Sequence, residues 1–184
     1  METIKTYMIH WFGPFEGNKE KVALWESEHP EYICNLYLLK GLRIGAKYKP
    51  SYYCGKTVQG VAKRLSNAKH SINKYRKVEE IWIGCFRNIE ADSSDIFDTE
   101  NIITAYLADE VGFSQMLNKI NMCFPSHQVC VINRWYKPDC TTWKRLNFDS
   151  PAKIVPEVLL HYYDSGDHLI DGSEKLRTLK VVVR

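Results

Sequence analysis

The chain has no C-x-x-C pair and no internal repeat, and no apolar run approaches the roughly 20 residues that span a bilayer. Between residues 40 and 78 it has no acidic side chain at all. Each absence excludes something. Without paired spacing, the six cysteines (Cys34, Cys54, Cys85, Cys123, Cys130, Cys140) read as thiols of a reducing compartment, mostly buried, and not as a disulfide framework. Cys123, His127, Cys130 and Cys140 come nearest to a zinc ligand set. Their spacing fits no closed zinc module, however, and Pro125-Ser126 sets a turn before His127. The first ten residues offer no basic segment followed by an apolar one and no small-residue cleavage site. The expectation is a soluble, cytoplasmic protein with no membrane partner. With 45% hydrophobic and 12% aromatic residues in 184, the chain can build a packed core and is too apolar for a disordered tail.

The missing acids leave eleven basic residues from Lys40 to Lys77 unanswered along that stretch. The complementary bias follows at once: residues 79–110 hold nine acidic residues and one basic, Arg87. Solvated surfaces mix signs, so a one-sign stretch of this length points to a polyanion. The acidic stretch offers carboxylate oxygens to a hard divalent cation. The competing explanation is that the two stretches neutralise each other.

Apolar alternation predicts strands over residues 3–12, 32–39, 51–54, 80–86 and 128–136, and a short helix over 19–28 that stops before Pro30. Residues 41–50, basic and broken by two glycines and a proline, read as a loop. Thr57 is the expected N-cap of a helix running to about residue 75, with Val61, Leu65, Ala68 and Ile72 on its apolar stripe. Asp98 or Thr99 is expected to cap a second helix carrying Ile102, Ile103, Tyr106 and Leu107 and ending near Gly112. Apolar segments 158–163 and 176–183, with turn signals at 164–167 and 171–172 between them, predict a hairpin-like tail. The expected fold class is α+β: a small antiparallel β-sheet flanked by helices, with a C-terminal β-rich extension. The expected divisions are an N-terminal extension over 1–30, a core over 31–136 and a C-terminal extension over 137–184.

Phosphodiester hydrolysis needs a group to activate water, cations to offset developing charge, and a metal or acid near the leaving oxygen. The order of elements supplies such groups: Tyr37 and Tyr53 on paired strands, Lys56 and Arg64 after them, and Glu100 near the start of the next helix. Asn35-Leu36-Tyr37 followed by Tyr53-Cys54-Gly55-Lys56-Thr57 resembles the two half-motifs of the GIY-YIG nucleases. Lys63-Arg64-Leu65 resembles that superfamily's arginine segment, and Thr99-Glu100-Asn101-Ile102-Ile103 its metal-binding helix. The likeness runs from about residue 33 to 121 and is nearest to the type II restriction endonucleases. Asn35, Leu36 and Cys54 depart from the half-motifs, and fifteen residues separate the two tyrosines.

The resemblance implies roles. Tyr37 is the general base or positions the water, and Tyr53 hydrogen-bonds to that water or to the scissile phosphate. Arg64 polarises the phosphate, Glu100 holds a Mg²⁺ or Mn²⁺ ion, and Lys56 lowers a phenol pKa. Lys56, Lys63 and Lys69 bind phosphate. His70 is similar to the superfamily's helix histidine, and Asn118, or alternatively Asn121, to the asparagine that braces the site. The implied function is a metal-dependent, restriction-type endonuclease acting on DNA, as a homodimer if it cuts both strands. The alternatives are a nucleic-acid-binding module of the same fold that does not cut, or a repair or homing nuclease.

Overall fold

The structure, a computed structural model, describes residues 4–118 and 123–173. Their seven strands are β1 (Lys5–Phe12), β2 (Cys34–Arg43), β3 (Ser51–Lys56), β4 (Tyr75–Phe86), β5 (Val129–Tyr136), β6 (Val158–Asp164) and β7 (Asp167–Ser173). All join one sheet in the order β3-β2-β4-β1-β5-β6-β7. β1 and β5 run parallel, and every other neighbouring pair is antiparallel. Helices are short or few: α1 (Lys19–Glu28), α2 (Val61–Leu65), α3 (Ser93–Val111) and α4 (Pro151–Ile154).

This overturns the expected fold class. The protein is a strand-dominated mixed sheet, not a small antiparallel sheet flanked by helices. One reason is β1, which lies between β4 and β5 in the middle of the sheet, so that the segments 1–30, 31–136 and 137–184 all contribute strands to it. Its alternation places Tyr7, Ile9 and Trp11 in one core, fully buried, and pairs it in parallel with β5 from Lys5↔Val129 to Phe12↔Tyr136. The other reason is the helix expected over residues 57–75, which stops at Leu65. Beyond it Ser66, Asn67, Ser71 and Asn73 offer the backbone local partners. Asn67 accepts from the Lys69 N–H at 2.9 Å, and Asn73 donates to the Ala68 carbonyl at 2.7 Å. Such side chains favour turns over helix interiors.

The middle of the sheet is buried on both faces, whereas β7 is mostly exposed. α3 covers one, where Ile102, Ile103 and Leu107 share a core with Trp11, Leu36, Leu38 and Tyr52. α1 and α2 cover the other, where Val22, Trp25, Val61 and Leu65 meet Tyr37, Leu39, Ile81 and Ile83. β2 is therefore apolar on both sides, as its near-continuous run of large side chains predicts.

α3 begins about two turns earlier than expected. Asp92 is its N-cap and forms a reciprocal capping box with Asp95, while Asp98 and Thr99 are buried inside the helix. Lys5 and Tyr7 of β1 both bond the Asp95 carboxylate, fixing the helix start against the central strand. The tail also differs in detail. β6 pairs with β7 through Ser165-Gly166, both at positive φ, and the expected turn at Asp171-Gly172 lies within β7. The segment 176–183 is outside the described residues.

Candidate active site

β3 is an edge strand, and the site is built around it. Tyr37 on β2 pairs with Gly55 on β3, which sets the Tyr37 and Tyr53 rings on the same face, stacked with centroids 5.9 Å apart. Gly55 makes this possible. A Cβ there would overlap the Tyr37 hydroxyl and the edge of the Tyr53 ring. Tyr37 is fully buried, whereas Tyr53 is half-buried and lines a cavity of about 340 Å³ together with Lys56, Lys74, Glu100 and Asn118.

Arg64 reaches this pair because α2 is pinned from outside. The Glu26 carboxylate of α1 accepts from the Val61 and Ala62 N–H groups at 2.7 and 3.0 Å, an anion on a helix N-terminus. Arg64 approaches the Tyr37 hydroxyl closely enough to favour its ionised form. On an unbroken helix His70 would lie roughly 240° round from Arg64, pointing away from it. Because α2 ends at Leu65, His70 instead caps the 3-10 turn Ser71–Lys74, and its Nε2 lies 2.7 Å from the Tyr37 hydroxyl. Sequence order alone could not give this geometry, which depends on where the helix breaks.

Across the cavity stands Glu100, two turns into α3, its carboxylate bonded by the Lys56 ammonium, which also lies 4.3 Å from the Phe97 ring centroid. Asn118 braces the outer side of β3, its side chain accepting from the Cys54 N–H at 2.9 Å and donating to the Cys54 carbonyl at 2.5 Å. Asn121 lies outside the described residues. Lys63 and Lys69 are exposed, the first within α2 and the second at the turn before His70. The structure thus brings Tyr37, Tyr53, Arg64 and His70 together on one side of β3 and Lys56, Glu100 and Asn118 around the cavity that Tyr53 shares.

The electrostatics correct one expected role. Burial pushes the Tyr37 phenol far above the ordinary tyrosine range, and Arg64 offsets this only in part. Lys56, which was to lower a phenol pKa, is committed to Glu100. Tyr53 is also raised, by burial first, while a hydrogen bond from Tyr37 works in the other direction. His70 is held down to about 4, by burial and then by the Arg64 charge, so its ring is neutral near pH 7.

Among the described residues, Glu100 is the one carboxylate lining the cavity, and no three His, Cys, Asp or Glu side chains converge on a point. That donor set does not fit zinc. It does fit Mg²⁺, which takes one or two carboxylates and fills its remaining positions with water and substrate phosphate oxygens. The charge question also has an answer. Among the described residues, only Lys40 and Lys56 of the basic stretch form ion pairs, Lys40 with Glu79, Glu80 and Asp149 and Lys56 with Glu100. The two stretches therefore do not neutralise each other.

Three contributors have no role of their own in the sequence reading. Glu26 gives no signal, because its partners are backbone groups thirty-five residues away. Lys74 belongs to the basic stretch but is singled out only by facing the cavity. Gly55 could have been found from its place between Tyr53 and Lys56. No family model matches the chain, and no curated protein or solved structure matches it. No helix among the described residues is long and apolar enough to cross a membrane.

Proposed function

We propose that the protein is a metal-dependent nuclease that hydrolyses phosphodiester bonds, with DNA as substrate and the Tyr37–Tyr53 pair, Arg64, His70, Lys56 and Glu100 as its machinery. One observation carries this reading. Residues spread over sixty-odd positions converge at a single edge strand, phenols and a guanidinium on one side and an ammonium–carboxylate pair on the other, beside cations with no ion-pair partner among the described residues. Arg64, with its planar fork of donors, suits a phosphate oxygen. Lys63, Lys69 and Lys74 extend that positive surface along a backbone.

Glu100 would hold Mg²⁺ or Mn²⁺, which supplies Lewis-acid stabilisation to the phosphate oxygens. Lys56 bonds Oε2 of Glu100, and the other carboxylate oxygen would be the one to hold the ion. The phenols orient the attacking water, and the apolar walls of β2 and α2 keep bulk solvent from His70 and Tyr37. The earlier resemblance to GIY-YIG restriction endonucleases agrees with this set of roles. A restriction-type enzyme cutting both strands would act as a homodimer.

The test is incubation of the purified protein with supercoiled plasmid and, separately, structured RNA, in Mg²⁺, Mn²⁺ or EDTA. Nicking or linearisation of plasmid that needs the metal and disappears in Arg64→Ala supports the reading. Tight binding of DNA with no cutting under any condition replaces it with a binding module.

A further inference from the structure

A second and larger cavity, of about 680 Å³, is lined by none of the residues of the proposed nuclease machinery. Glu100 of α3 lines the first cavity, whereas Tyr106 and Glu110 line the second. Six residues on from Glu100 is roughly 240° round the helix, so the two cavities flank α3 on different sides. The walls of the second are aromatic. Trp135 is held by the Trp11 ring, stacked on it at 5.3 Å, and by an edge-to-face contact with Trp82. Trp143 donates its indole N–H to the Gly13 carbonyl at 2.9 Å. The Tyr106 ring lies against Gly172, where a Cβ would overlap it, and its hydroxyl is bonded to Glu110. These contacts hold three rings in fixed positions around the cavity, which lowers the cost of ordering them on a ligand. Phe148 completes the wall and is 87% exposed, an apolar ring left beside an open cavity.

The charges around the cavity cancel. Two cations, Arg134 and Lys153, and two carboxylates, Glu110 and Glu157, line it, and Arg134 stands 3.8 Å from Glu157. A site for an anion or a cation would carry an excess of the opposite sign. Balanced charge beside fixed aromatic rings suits a neutral planar ring whose edge both donates and accepts hydrogen bonds, which is the chemistry of a nucleobase. The loop over residues 142–148 adds what such a base carries with it. Between Trp143 and Phe148 stand Lys144 and Arg145, both exposed and outside the cavity lining, and there is no acidic residue from Cys140 to Phe148. We propose that this cavity binds a nucleobase, stacked among Trp135, Trp143 and Phe148, with its phosphate on Lys144 and Arg145 outside. The base comes from a free nucleotide or from an unpaired position of a nucleic-acid strand. The cavity volume lies within the range of small-molecule sites. The site stands apart from the nuclease reading and does not depend on it.

The five tryptophans give the test its readout, through the indole N–H signals of the ¹⁵N-labelled full chain. Adenosine and cytidine monophosphates should shift the Trp135 and Trp143 signals. Trp25, bonded to the Pro138 carbonyl in the core on the other face of the sheet, should not move. The corresponding nucleosides should shift the same two indoles with lower affinity. Phe148→Ala removes a ring that the fold leaves exposed, and should weaken monophosphate binding ~5–150-fold, the worth of one stacking partner. Replacing both Lys144 and Arg145 by Ala should bring the monophosphates down to the affinity of the nucleosides. A single-stranded oligonucleotide that binds more tightly than the monophosphates assigns the base to a strand, and equal affinity assigns it to a free nucleotide. Either result supports the site. Shifts of these indoles by ribose 5-phosphate or tetramethylammonium but not by nucleosides overturn it, as does the absence of any shift at millimolar nucleotide. Wild-type affinity in Phe148→Ala overturns it as well. None of these readouts involves cleavage, so this site and the nuclease reading fail separately.

Discussion

At the scale of single residues, the site depends on ionisation states that composition cannot disclose. The phenols were expected to be acidified by neighbouring cations, but burial dominates at Tyr37 and Lys56 is spent on Glu100. Residue types were legible here and their energetics were not, because desolvation depends on packing that only the fold defines. His70 gives this a measurable form. Its folded value of about 4 lies below the 6.5 of the unfolded chain, so between those values the unfolded state binds the extra proton and stability falls as pH falls. The full effect is roughly 3 kcal/mol at pH 4 and below, and it is absent well above pH 6.5. Urea titrations of wild type and His70→Gln between pH 7.5 and 4 should show a steeper loss in wild type, and parallel curves would sink the assignment. Glu100→Gln keeps the α3 helix and removes the metal-binding charge. Plasmid cleavage in Mg²⁺ should disappear while gel-shift affinity for DNA stays within a few-fold, and cleavage at the wild-type rate would remove Glu100 from the mechanism.

At the scale of elements, strands were far more legible than helices. The burial alternation of β1 and the two-sided apolar run of β2 are periodic in the sequence, and α1 ends where Pro30 requires. The helix over 57–75 was read from an apolar stripe at Val61, Leu65, Ala68 and Ile72, but two of those four lie beyond the break. Ser66 and Asn67 carried the turn signal, and the periodicity masked it. The α3 cap was misplaced because Asp92, Asp95, Asp98 and Thr99 are all acceptable caps by type, and only the Lys5 and Tyr7 contacts select the first pair. α2 is short enough that its position depends on Glu26. Glu26→Ala leaves two helix N–H groups without their acceptor and should cost about 0.5–2 kcal/mol in a denaturant titration. Cleavage should fall further than that loss predicts, because Arg64 shifts with the helix. An unchanged rate at conditions where the variant is fully folded would show that Arg64 does not need this anchor.

At the scale of the whole molecule, topology was the least legible property. Nothing in residues 5–12 announces a central position, since a parallel partner more than a hundred residues away is chosen by the assembled sheet and not by the strand itself. The charge segregation, by contrast, was visible at once, and in the fold it remains a cationic surface without matching carboxylates among the described residues. Binding to duplex DNA should therefore weaken with salt along a log–log line of slope about −0.9 per phosphate neutralised. Fluorescence anisotropy between 50 and 300 mM NaCl measures this, and a flat response would remove the polyanion from the account.

The bracing of β3 has a consequence for how copies of the chain can associate. An open sheet edge invites another strand to add to it, the usual route to aggregation and to dimers that extend a sheet. Here three of the outward-facing groups of β3 are already bonded. The Tyr52 carbonyl accepts from the Leu117 N–H at 2.8 Å, and both backbone groups of Cys54 are bonded to the Asn118 side chain. A strand from a second copy would have to break these bonds to add along the middle of β3, which favours association over another surface.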